Sequence, residues 1–222
     1  PYQLKAAQRA AANFATREAI ALYDAAEATM GHLGDSVPAT ARVALYRARA
    51  DLHLVVSDFD RARADSARAA TLAARAGDHV TEGLAVVGMA LASFLAHRFD
   101  QALEDAARAI AVGEATGSPT VRAGGHLSTA LVYEMTGRLE EARPRFDAVI
   151  AISRPAGDIP NEANAMVFGA ELLSWEGKYH EAARLYDDGI RLARTHGVLM
   201  AALEGMFMAG VNLTAKGDYD AA

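Results

Sequence analysis

The residues of this 222-residue chain that could do chemistry are seven histidines, 28 aspartates and glutamates, and their hydroxyl-bearing neighbours; there is no cysteine. The lack of cysteine excludes a disulfide scaffold, a thiolate metal site and a cysteine nucleophile. The histidines stand at 32, 53, 79, 97, 126, 180 and 196, never four apart, so no helix face offers the paired imidazoles of a zinc site. His97 and His180 lie beside turns and His79 and His196 near helix ends, where an imidazole stabilises a helix terminus. Asp58-Phe59-Asp60 and Asp187-Asp188-Gly189 lack calcium-loop spacing and read as exposed turn and helix residues. There is no Gly-x4-Gly-Lys-Ser/Thr phosphate loop, no Gly-x-Gly-x2-Gly and no His-Glu-x2-His. The expectation is therefore a chain that is not an enzyme and holds no metal and no cofactor. Its chemistry would be recognition.

What must position any recognising residue is a 40-residue internal repeat. Phe59, Phe99, Leu139, Tyr179 and Tyr219 recur at that spacing, and three residues after each comes Ala62, Ala102, Ala142, Ala182 or Ala222. Nine residues before each stands a small residue: Ala50, Ala90, Ala130, Ala170 or Gly210. Glycine recurs at 77, 117, 157 and 197. A period in this range marks stacked supersecondary units. In 120–136, Leu127, Ala130, Leu131 and Met135 fall at helical spacing, and Ala142, Phe146, Val149 and Ile150 form a second helical face after the turn. Gly137, Gly177 and Gly217 suit the left-handed residue that ends a helix. Asp78 and Ser118, each following a repeat glycine, suit N-caps. The small columns let antiparallel helices approach closely, which gives the 52 alanines a structural use.

A hairpin of this kind cannot bury both its faces, so neighbours stack. The expected fold is all-α, a right-handed superhelical solenoid of about five and a half hairpins: 1–36, 37–78, 79–118, 119–158, 159–198 and 199–222. The first unit is set off by a connection, 31–38, about three residues longer than the others. The chain reads as one solenoid domain cut from a longer protein.

Net charge is −6, and the 22 basic residues are interleaved with acids, as in Arg61-Ala62-Arg63-Ala64-Asp65, which reads as a solvated face. Nucleic-acid binding by this segment is not expected, since phosphate contacts need a basic face. No apolar run approaches the roughly 20 residues of a membrane span.

The pattern at Ala170, Leu173, Gly177, Tyr179, Ala182, Tyr186 and Gly189, and at Ala130, Tyr133, Gly137, Leu139, Ala142, Phe146 and Val149, resembles the tetratricopeptide repeat. It departs from the common 34-residue repeat in its length of 40 and in lacking the tryptophan and proline positions. The Ala-Gly-Asp endings at 76–78 and 156–158 resemble more narrowly the helical arms of bacterial signal-transduction ATPases and maltose-activator-like regulators. The resemblance implies that the first helix of each hairpin lines a concave binding face. Aligned repeats place Arg47, Asp51, Phe94, Glu134, Asn164, Glu171, Trp175 and Phe207 there, among leucines and valines. Such a groove suits an amphipathic helix or extended peptide, with Trp175, the single tryptophan, as an anchor.

The expected function is thus protein or peptide binding in the cytoplasm by the regulatory arm of a bacterial signalling or transcriptional regulator. The alternative is a small-molecule effector sensor. The unpaired last hairpin also leaves an apolar face that a second copy could cover.

Overall fold

One period of the sequence is one helical hairpin. The computed structural model describes residues 2–217; among them are eleven α-helices, a short 3₁₀ turn at Gly34–Ser36 and no strand. The helices are α1 (Tyr2–Ala12), α2 (Thr16–Leu33), α3 (Ala39–Val55), α4 (Phe59–Arg75), α5 (His79–Leu95), α6 (Phe99–Thr116), α7 (Pro119–Met135), α8 (Leu139–Ala156), α9 (Ile159–Trp175), α10 (Tyr179–Thr195) and α11 (Leu199–Lys216). The last members of two repeat columns, Tyr219 and Ala222, lie outside the described residues.

The helices gather into two compact units, Pro1–Thr116 and Gly117–Ala222. In the first, α1 packs on α2, α3 on α4 and α5 on α6, with α4 also packed against α5 and α2 against α3. In the second, α7 packs on α8, α9 on α10, and α11 on both α10 and α9; α7 and α9 also touch. Within this unit the first helices α7, α9 and α11 are therefore successive neighbours.

The repeat columns are the packing surfaces. Ala50, Ala90, Ala130 and Ala170 are buried, as are Ala62, Ala102, Ala142 and Ala182. Gly189 shows why small residues are required: a Cβ there would stand 3.1 Å from Cβ of Met166 and 3.3 Å from Val167.

The turns follow the sequence reading. Gly137 and Gly177 take positive φ, 76° and 75°, and Ser57 and His97 occupy the equivalent left-handed position without being glycine. At the Gly137 turn, Gly137 N–H donates to the Glu134 carbonyl and Arg138 N–H to the Tyr133 carbonyl, closing the helix end. The aromatic after the turn plugs the junction: the Phe99 ring lies 6.3 Å from Phe94 and edge-on to His97 at 5.7 Å. Asp78 and Ser118 accept from the amides of Thr81 and Val121, as caps, and Asp58 and Asp158 do the same for α4 and α9.

One reading of the charges is corrected. Arg63 and Asp65 are not part of a solvated face. Asp65 is 3% exposed, and Arg63 reaches across to Asp105 at 2.9 Å and to the Ser93 hydroxyl at 3.0 Å. Asp65 falls three residues after buried Ala62 and four before buried Ala69, so the helical period carries it inward with the apolar stripe.

Candidate functional site

In the first unit the most concentrated charge is structural. Arg49 on α3 donates Nε and Nη2 to the two carboxylate oxygens of Asp65 on α4, at 2.7 and 2.9 Å, and Nη1 to Asp24 on α2 at 2.7 Å. Glu27 on α2 pairs with the same guanidinium at 2.7 Å. Burial alone would lower the Arg49 pKa, but the bonds to Asp65 and Glu27 outweigh it and hold the group charged. Beside it, His53 is buried with Nδ1 unpartnered, and burial pulls its pKa down. This cluster clamps α2, α3 and α4 together. Sequence reasoning missed it, because the partners lie 16, 22 and 25 positions from Arg49 and share no motif.

Of the residues expected on the first-helix face, Arg47 and Asp51 sit one turn apart on α3 and are both exposed. They line a cleft of about 430 Å³ with Thr40, Val43, Asp78 and Thr81. The protein packed around the cleft raises the Asp51 pKa, and Arg47 pulls in the opposite direction. Phe94 is half-buried against the turn aromatic Phe99.

In the second unit Glu134 on α7 lies within reach of the charge of Glu171 on the neighbouring helix α9. Glu134 is 6% exposed, and its Oε1 has no hydrogen-bond partner. Burial pushes its pKa up to about 9, with the Glu171 charge adding to the rise. Glu171 is half-buried and is also raised by burial. Tyr186 on α10 is buried; desolvation raises its phenol, a hydrogen bond with Ser174 opposes the rise, and the Glu171 and Glu134 charges add to it.

Helices α7, α9 and α11 carry exposed apolar side chains. Trp175, one turn beyond Glu171 on α9, is 54% exposed, and Phe207 on α11 is 68% exposed. Met135 on α7 and Val211 on α11 are also exposed. Asn164 is half-buried on α9. The sequence reading did not single out Glu204 on α11, whose pKa burial also raises, nor the buried Asn212. No group of three or more metal-ligating side chains occurs among the described residues. None of their helices is long and apolar enough to cross a membrane.

No family model matches the chain, and no curated protein matches it in sequence. Solved structures do. The aspartyl phosphate phosphatase F of Bacillus subtilis superposes with a TM-score of 0.78 at 14% identity, over 99% of this chain and 58% of that one. The Rap conjugation gene regulator of plasmid pLS20, solved in complex with the Phr* peptide, gives 0.80 at 15% identity over 95% and 57%. A signal transduction ATPase with numerous domains and a tetratricopeptide repeat sensor, from Pyrococcus horikoshii, gives 0.67 at 14% over 96% and 32%. The fold is a tetratricopeptide-like helical repeat. This chain spans 58% or less of each of those three chains, and at such identities the likeness carries architecture, not activity.

Proposed function

We propose that the chain is a recognition module, the regulatory arm of a bacterial cytoplasmic signalling or transcriptional regulator, and that it binds a peptide across the first helices of its second unit. The carrying observation is the exposure of Trp175 and Phe207 on adjacent helices α9 and α11. Large exposed aromatics on a helical scaffold are the usual anchors of an interface, and a groove between parallel helices accepts an extended or helical segment. The peptide complex of the similarly folded conjugation regulator supports this reading.

The experiment is selection of a phage-displayed random heptapeptide library on the purified chain, with Trp175→Ala in parallel. Peptides enriched by the wild type and lost with Trp175→Ala support the reading. Failure of any peptide to enrich on the wild type, or equal enrichment on the variant, overturns it.

A second reading, a small-molecule effector site, draws on the cleft of about 430 Å³ lined by Arg47, Asp51, Asp78 and Thr81. Its size falls within the range of small-ligand pockets. A metabolite that raises the melting temperature of the wild type but not of Arg47→Ala would favour it.

A further inference from the structure

Acidic groups are handled in two different ways within this chain. In the first unit, Asp24, Glu27 and Asp65 are bonded to Arg49. In the second, no described basic side chain offsets Glu134 or Glu171: burial raises both, and the Glu171 charge adds to the rise at Glu134. A carboxyl oxygen of Glu134 is left buried and unpartnered. Leaving such an atom unpaired carries a desolvation cost.

From this juxtaposition we infer that Glu134 and Glu171, with Trp175 beside them, form a subsite for a guanidinium or ammonium group brought by the bound peptide. The inference rests on the peptide-binding reading above and specifies the chemistry of one anchor. Three features converge. Two carboxyls on the neighbouring helices α7 and α9 are acceptors of the kind a guanidinium engages with its forked donors. The Oε1 of Glu134 lacks the donor such a ligand would supply. The exposed indole of Trp175 stands one helical turn from Glu171, on the same side of α9, and an indole face attracts a cation.

The site also predicts a proton linkage. The charge acting at Glu134 comes from α9, as Glu171; Tyr186 on α10 is a neutral phenol at these pH values, and α8, packed on α7, adds no charge that shifts Glu134. Glu134 holds its proton near neutrality. A bound cation favours the carboxylate, so binding expels that proton, and affinity rises as pH climbs from 7 toward 9.

The test uses Nα-acetylated argininamide and its uncharged counterpart, Nα-acetylated citrullinamide, as probes (argininamide and citrullinamide below), with emission of Trp175, the sole tryptophan, as the readout. The full chain is compared with Glu171→Gln and Glu134→Gln, whose folding is checked by circular dichroism. The wild type is expected to show saturable binding of argininamide, at least about tenfold tighter than of citrullinamide. Glu171→Gln is expected to lose about tenfold in argininamide affinity, and Glu134→Gln to lose the rise of affinity with pH. No saturable response, equal response to both amides, or argininamide affinity unchanged in both variants overturns the subsite. If heptapeptides still enrich on the wild type without a preferred Arg or Lys, the subsite fails while the peptide-binding reading stands. If argininamide binds as expected but no heptapeptide enriches, the cation site stands and the peptide reading fails.

Discussion

Ser174 on α9 donates a 2.6 Å hydrogen bond to Oδ1 of Asn212 on α11. Asn212 is 1% exposed, and its Nδ2 donates in turn to the Tyr179 carbonyl at the start of α10, at 3.2 Å. One buried amide therefore ties α9 and α11 to the start of α10. It also fixes where Phe207 and Val211, on the same helix, are presented.

Replacing that amide with leucine leaves the Ser174 hydroxyl and the Tyr179 carbonyl without it. Asn212→Leu is expected to destabilise the chain by about 1–3 kcal/mol, read as a lower urea midpoint. A midpoint unchanged from wild type would show that the bonds contribute nothing net.

The Arg49 cluster predicts a sharp contrast between two arginines. Arg49→Ala strands Asp65 in the interior and is expected to cost about 3–5 kcal/mol. Arg68, exposed and 3.4 Å from Glu27 and Asp65, is expected to cost no more than about 1 kcal/mol as Arg68→Ala. Thermal melts of the two variants at one pH and salt concentration check the ordering. Equal losses would contradict the clamp.

Two glycines should respond oppositely to alanine. A Cβ on Gly205 would meet Ile190 at 2.7 Å and Val167 at 3.0 Å, so Gly205→Ala is expected to destabilise by about 1–3 kcal/mol. Gly31, inside α2, has open space around its Cβ position and is expected to stabilise by about 0.5–1 kcal/mol as alanine. Urea denaturation of both variants decides this; a stabilising Gly205→Ala would mean that α11 does not pack so closely.

The raised pKa of Glu134 has a direction in stability. A carboxyl that titrates near 4.5 unfolded and at about 9 folded keeps its proton longer in the folded state. The folded state then binds more protons across that window, so its contribution is full below the unfolded value and is lost as pH rises toward 9. Melting temperatures at pH 5, 7 and 9 should fall more steeply for wild type than for Glu134→Gln. Parallel profiles would contradict a buried, protonated Glu134.

The 40-residue columns made the hairpins, their turns and the caps at Asp78 and Ser118 legible, because each depends on residues close in sequence. Long-range partners were not legible. Arg49 and Asp65 read as part of a mixed-charge surface, since in an isolated helix nothing distinguishes an inward acid from an outward one. Glu134 and Glu171 were both expected on the first-helix face, yet their meeting was hidden. They are 37 positions apart, not 40. Glu134 shares its column with Ser174, and Glu171 with Leu131, so the contact runs diagonally between α7 and α9, one turn off the repeat. Packing of neighbouring helices sets that diagonal, and a one-dimensional alignment of repeats does not contain it.

The most direct measurement places the ligand. A heptapeptide enriched on the wild type, carrying a nitroxide at one end, is added to methyl-labelled protein, and paramagnetic broadening is mapped by NMR. Binding across the first helices of the second unit predicts broadening at Met135 on α7 and Val211 on α11, both exposed. Broadening confined to methyls of α8 and α10, or to the first unit, would contradict it.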